Sequence, residues 1–219
     1  MAEFTVTTAA DSEDPADGAL SLREAVAAAN AAPGADRVVF DPALSGQVLR
    51  LEAGPLPVTD ALTLEGDLDG DGVPDVTLSG DAAGDDVTGA GGVTDVAASL
   101  SAGALADNTR LFEVSAEATI SGLVLTGGVA SGDGGAVTSA APLTLRAAQL
   151  SGNRAEGAGG AVHAADDLLI EDTVLSANRA AGPGGAVRAD GEADLARVVL
   201  EGNLTTGQGG QGGAISAGG

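Results

Sequence analysis

GGAVTSAAPLTLRAAQLSGNRAEGA at 134–158, GGAVHAADDLLIEDTVLSANRAAGP at 159–183 and GGAVRADGEADLARVVLEGNLTTG at 184–207 follow one pattern. The step between them is 25 residues. Leu150, Leu175 and Leu200 keep it, as do Asn153, Asn178 and Asn203, and Leu145, Ile170 and Leu195. Upstream, Phe112 falls under Val137, Ile120 under Leu145 and Leu125 under Leu150, while Gly128 stands at the Asn position. Downstream, GGAI at 212–215 resumes the pattern three residues late. Self-similarity at a fixed period of roughly 20–50 residues marks a solenoid.

Each unit has room for three short apolar segments: AV, an L-x-[LI] pair, and a segment that ends in Leu before S/E-x-Asn. None is long enough for an ordinary α-helix. Three short strands per coil, stacked in register, make parallel ladders with rungs about 4.8 Å apart. Same-sense parallel crossovers are right-handed almost without exception. The predicted fold is therefore all-β, a right-handed parallel β-helix. Pleat alternation sends Val137, Val162, Val187 and Ile215 inward and Ala136 and Thr138 outward. The Gly-Gly pair fits a corner where a side chain would collide or φ is positive. The Asn residues suit αL corners and can bond one another as a ladder.

Working outward to the N-terminus, Phe4 and Val6 alternate in a strand over 3–8 that precedes an acidic loop at 11–18. Ser21-Leu22-Arg23-Glu24 has capping-box spacing, and Leu22, Val26 and Ala29 form one helical face, so a helix is predicted at 22–30. It is too short to stand alone and must dock, with the open end of the solenoid as its seat. Strands follow at 37–40, 47–52, 61–65 and 76–79, split by DP, SG and GPLP turns. LTL at 62–64 matches TI at 119–120 and VTL at 76–78 matches LVL at 123–125, so a coil carries a nine-residue expansion within EGDLDGDGVPD. The organisation is one domain: a cap over 1–36 and a β-helix over 37–219, with insertions at 65–75 and 81–109. The second insertion contains a helix candidate, TDVAASLSAG at 94–103. GGAISAGG at the end breaks off in mid-repeat, as the N-terminal part of a longer β-helix or a stacking unit would.

Composition narrows the function classes. Thirty-two acidic residues face nine basic ones, all Arg, for a formal charge of −23, which excludes nucleic acid as a natural partner. There is no Cys, so disulfides and thiolate metal sites are ruled out. No apolar run approaches the ~20 residues of a membrane span, and MAEFTVTT lacks the basic and apolar regions of a signal peptide.

LSLREA at 20–25, followed by AAANAAPGADRVVF at 27–40, resembles bacterial secreted β-helix proteins whose N-terminal signature reads C-S-L-R-E-A; Leu20 stands in place of the Cys. Similar proteins continue with D-x-D-G-D-G-x-x-D and with GGAV and S-G-N repeats, also seen in polymorphic outer-membrane and pectate-lyase-like families. The resemblance covers nearly the whole chain. It implies an extracellular or surface β-helix with a capped N-terminus, and no single activity.

The sharpest chemical motif is Asp67-x-Asp69-x-Asp71-Gly72-Val73-x-Asp75. Counting from Asp67, oxygens fall at positions 1, 3, 5, 7 (the Val73 carbonyl) and 9, with Gly at 6, the spacing of an EF-hand-type Ca²⁺ loop. Position 12, normally Glu, is Leu78, and Asp81, Asp85 or Asp86 would have to complete the shell. Carboxylates this close repel one another without a cation. A second candidate is His163, the only His, on an outward ladder with Thr138, Arg188 and Ser216 and near Asp166 and Asp190. No catalytic residue set is assigned. The expected function is a non-catalytic, secreted or cell-surface structural or adhesive module, stabilised by Ca²⁺ and self-associating end to end through its C-terminal coil. The alternatives are a polysaccharide lyase or epimerase and a Ca²⁺-dependent module for a surface glycan or protein.

Overall fold

The computed structural model describes residues 1–84, 107–207 and 213–218. β1 (Glu3–Val6) and α1 (Leu22–Ala31) lead into β2 (Asp36–Phe40), β3 (Val48–Arg50), β4 (Leu56–Val58), β5 (Leu62–Glu65) and β6 (Val76–Ser79). The regular part opens with β7 (Phe112–Val114), β8 (Ala118–Ser121), β9 (Leu123–Thr126) and β10 (Val129–Ala130). It repeats as β11 (Val137–Ser139), β12 (Leu143–Arg146), β13 (Gln149–Ser151) and β14 (Arg154–Ala155). Next come β15 (Val162–Ala164), β16 (Leu168–Glu171), β17 (Val174–Ser176) and β18 (Arg179–Ala180). The last described full coil is β19 (Val187–Ala189), β20 (Ala193–Ala196), β21 (Val199–Glu201) and β22 (Leu204–Thr205), and β23 (Ile215–Ala217) follows it.

These strands stack into a parallel β-solenoid. The first ladder runs β4-β7-β11-β15-β19-β23, the second β1-β2-β5-β8-β12-β16-β20, the third β3-β6-β9-β13-β17-β21 and the fourth β10-β14-β18-β22. The registers are those the repeat dictates, with Leu145 between Ile120 and Ile170, and Leu150 between Leu125 and Leu175. Leu64 pairs with Ile120 and Leu78 with Leu125, so 62–79 is indeed one coil with an expanded corner. Val187 pairs with Ile215, a step of 28 rather than 25, which absorbs the three extra residues. The helix expected at 94–103 lies outside the described residues. Among the described residues no helix is long and apolar enough to cross a membrane.

Several local expectations change. A regular coil has four strands, not three. The fourth is two residues long and buries one small side chain per coil (Ala130, Ala155, Ala180), too brief a pattern to register as an apolar segment. Ala136, Ala161 and Ala186 are fully buried, not outward. The preceding corner is pressed backbone to backbone against the fourth strand: a Cβ on Gly160 would stand 2.6 Å from the Arg179 nitrogen, and one on Gly135 2.5 Å from the Arg154 carbonyl. Both reasons for Gly-Gly therefore operate, and the first Gly of each pair meets both. Gly134, Gly159 and Gly184 carry positive φ and would set a Cβ 2.0–2.2 Å from the carbonyl oxygen of Val137, Val162 or Val187, while the second Gly of each pair permits the approach of the fourth strand. The αL residue at the next corner is not Asn but the one before it: Gly152, Ala177 and Gly202.

That shift leaves the Asn side chain free to point inward. Asn153 Nδ2 donates to Asn178 Oδ1, and Asn178 Nδ2 to Asn203 Oδ1, each at 3.0 Å. The same Oδ1 atoms accept the backbone N–H of the preceding Asn, and each Nδ2 also donates to the carbonyl of Leu125, Leu150 or Leu175. Asn153 and Asn178 are fully buried with these bonds made. Around them Val, Leu, Ile, Ala and two Phe (Phe40 and Phe112) fill a single continuous core from Val6 to Ala189.

At the N-terminal end, α1 forms with the predicted capping box: Ser21 Oγ accepts from the Glu24 N–H, and Glu24 Oε2 accepts from the Ser21 N–H. Leu22, Ala25, Val26 and Ala29 face the solenoid core. The predicted cap strand is shorter than expected and pairs with β2, so it is the first rung of the second ladder, not a separate element. Leu56–Val58, read as part of a GPLP turn, is a strand. It pairs with β7 at the edge of its ladder, where Pro57 lacks no bond that a neighbouring strand would have supplied.

Candidate functional site

The expanded corner lies between β5 and β6. Its base is pinned where the Asp75 N–H donates to the Gly66 carbonyl, and Gly66 itself bonds down to the Ser121 carbonyl of the next coil. Above that base the loop is made of short local bonds. Asp67 Oδ1 accepts from Gly70 and Oδ2 from Gly72, Asp69 Oδ1 accepts from Asp71, and Asp71 Oδ1 from Val73. Asp and Gly alternate here because each carboxylate can close a turn on a residue two to five ahead, and Gly70 and Gly72 take positive φ.

This winding brings carboxylate oxygens of Asp67, Asp69 and Asp71 within 4.8 Å of one another, with Asp67 half-buried and the other two exposed. Asp69 Oδ2 and Asp71 Oδ2 make no hydrogen bond among the described residues. All-oxygen donors of this kind suit hard cations, Ca²⁺ or Mg²⁺. The carboxylate of Asp75 lies apart from this cluster. Asp75 turns its carboxylate to the base of the loop, where it accepts from the Leu68 N–H at 2.7 Å and from Ser45 Oγ at 3.1 Å. Val73 is exposed, and its N–H is the atom used within the loop. Leu78, the would-be twelfth position, is a core residue of β6. Asp81 sits beyond the far end of β6, buried and bonded to the Gly84 N–H, so it does not complete the cluster. Asp85 and Asp86 lie outside the described residues. The loop therefore brings three of the four predicted carboxylates around one point.

The second candidate is on the outward face of the first ladder. His163 pairs in register with Thr138 and Arg188, and Arg188 with Ser216. His163 Nε2 is 3.2 Å from Asp190 Oδ2, and Arg188 Nε donates to Asp190 Oδ1 at 2.7 Å. The bond from Arg188 is the main cause that holds the Asp190 carboxyl below its ordinary range, and the contact with His163 adds to it. Beside His163 runs a shallow groove of about 370 Å³ floored by Ser139 and Val114. Asp166 makes only a local bond to the Asp167 N–H.

A further polar centre was not visible in the sequence. Arg23 is buried at the N-terminal end and forms a two-pronged pair with Asp11, Nε to Oδ1 and Nη2 to Oδ2, each at 2.8 Å. Nη2 also donates to the Gly54 carbonyl, and Asp11 Oδ2 accepts the N–H groups of Glu52 and Ala53. Burial alone would raise the Asp11 carboxyl, but these bonds outweigh it and bring it below its ordinary value. The SLREA stretch thus has a physical role at every position: Ser21 and Glu24 cap the helix, Leu22 and Ala25 enter the core, and Arg23 ties the helix to the acidic loop. The only hint in the sequence was a lone Arg on an otherwise apolar helix next to an acid-rich loop.

Comparison with protein-family models, with curated protein sequences and with solved structures finds no match to this chain.

Proposed function

We propose that the chain is a non-catalytic structural or adhesive module, secreted or displayed on a cell surface, that extends by stacking further β-helical coils on its C-terminal end and is stiffened by Ca²⁺ in the 66–75 loop. The observation that carries this reading is the state of the last described coil. Leu195 and Leu200 continue the ladders of Ile170 and Leu175, both fully buried, yet they are 38% and 39% exposed. Among the described residues, strands β20, β21 and β22 each present an unpaired edge beside them. An apolar lumen flanked by open parallel edges fits another coil of the same geometry, and open edges recruit strands. The opposite end is covered by α1, which gives the stack a direction.

Negative-stain microscopy and sedimentation of the chain, with Ca²⁺ and with chelator, test the stacking. End-to-end rods are expected, and dispersed monomers in both states would refute self-association. The cation is tested separately by melting. Ca²⁺ binding to the folded state alone raises stability by mass action, about 2.7 kcal/mol at a hundred times Kd. An Asp69→Ala, Asp71→Ala variant should lose that increment, and identical melting of variant and parent under both conditions would remove the cation from the proposal.

A second reading, a polysaccharide lyase or epimerase, draws on the His163–Asp190–Arg188 contacts beside the groove, where an imidazole could take a proton from an acidic sugar. Acidic polysaccharides should then yield new absorbance near ~235 nm, the region of the conjugated double bond left when proton abstraction leads to elimination. Activity that survives both His163→Ala and Arg188→Ala would exclude this site.

A further inference from the structure

We infer that Arg154 and Arg179 form a binding site for a single small oxyanion, a sulfate, phosphate or carboxylate group, on the outer face of the fourth ladder. The two residues are directly paired in register on adjacent parallel strands, β14 and β18. Their side chains therefore leave the sheet side by side, about 4.8 Å apart at the backbone. Like charges directly opposite in a sheet are destabilising. A chain with 32 acidic residues has ample means to neutralise them, and six of the other seven Arg show it: Arg23, Arg37, Arg110, Arg146, Arg188 and Arg197 each hold a carboxylate, Arg50 being the exception among the described residues. Arg154 and Arg179 have neither an ion pair nor a side-chain hydrogen bond among the described residues.

The pair lines a concavity of about 180 Å³ together with Ala155, Glu156, Ala181 and Thr206. Ala155 and Ala180, the inward partners on the same strands, are buried, which fixes the strands and hence the origin of both guanidinium groups. Two planar donor forks side by side suit an acceptor with two or more oxygens, each fork taking one edge. Glu156 at the rim keeps the local charge at one net positive, matched to a singly or doubly charged group. The overall charge of −23 repels an extended polyanion, so the ligand is a small anion or one acidic group on an otherwise neutral molecule. The site is separate from the Asp67–Asp71 cluster, and only Thr206 of its lining belongs to the last described coil.

The neighbours on the same ladder supply the controls. Val129 pairs with Arg154 and Leu204 with Arg179, so Arg154→Val and Arg179→Leu only extend residue types that the ladder already carries. The experiment is thermal unfolding of the full chain in sodium sulfate and, separately, sodium glucuronate, each against sodium chloride at equal ionic strength. Wild type should show a saturable rise in Tm, on the order of 2–4 °C, in at least one of the two anions. The anion that gives the larger rise tells tetrahedral from carboxylate preference. Both variants should fold and lose the rise. A rise that is linear in salt and equal in all three proteins is a general exclusion effect and overturns the site. So does the absence of any rise in wild type.

Discussion

Residues 1–84 and 107–207 build the same solenoid by different means. In the second region the main stabilising features recur at the coil step from residue 134 onward: a Gly pair at one corner, an Asn ladder at another, and Val, Leu and Ile filling between. In the first, ladders of the same kind are joined by features that occur once each, the α1 capping box, the Arg23–Asp11 pair and the expanded loop over 66–75. One corner carries both versions. Gly122 makes the turn between the second and third ladders with a single αL residue, while one coil below, Gly66 to Asp75 make the same turn by a detour. The ladders on either side are undisturbed. Solenoid corners therefore absorb insertions at low cost, since loop-closure entropy grows only slowly with length and the rungs resume in register. Unique chemistry accumulates where the repeat is interrupted because only there is a residue not tied to its equivalents above and below.

The sharpest break in that contrast is Arg23→Ala. It strips the partner from a buried Asp11 and should cost about 3–5 kcal/mol in denaturant unfolding. The pH dependence follows from the lowered Asp11 carboxyl. Its contribution is full above the unfolded value near ~4 and fades as pH falls through the folded value. The gap between variant and wild type should therefore narrow below about pH 4; a constant gap would show that the ion pair is not its source.

Within the regular region, Asn178→Ala removes an acceptor from two Asn153 N–H groups and a donor from the Leu150 carbonyl. At about 1 kcal/mol or more for each buried group left unpaired, the loss is about 3 kcal/mol. A loss under ~1 kcal/mol would mean the ladder is ornamental to stability. Gly122→Ala tests the shared corner, since a Cβ there would stand 2.2 Å from the Asp67 nitrogen, beneath the expanded loop, and φ is +63°. Crowding and backbone strain together predict about 2–4 kcal/mol. Ala147 occupies the equivalent corner one coil on, where no such detour lies beneath, and tolerates φ of 45°. Ala147→Gly should give the smallest effect, a gain of about 0.5–1 kcal/mol from relief of αL strain, less the entropy that Gly adds to the unfolded chain. Responses of equal size and opposite sign at 122 and 147 would show that the loop does not rest on the corner.

The sequence alone determined the period, the parallel registers, the inward Val, Leu and Ile, the helix with its cap, and the position of the expanded loop. These are one-dimensional properties: a repeat forces equivalent residues into contact whatever path the chain takes between them. What depends on how the chain folds across itself became visible only in the tertiary structure. The fourth strand, the burial of Ala136 and the inward turn of Asn153 come from two segments of a coil meeting across a narrow lumen. The Arg23–Asp11 pair joins residues that share no pattern. The separation of Asp75 from Asp67, Asp69 and Asp71 reflects competition, because the Leu68 N–H and Ser45 Oγ claim its carboxylate first. Spacing counts the ligands a loop has to offer; the hydrogen bonds closing that loop decide which of them converge.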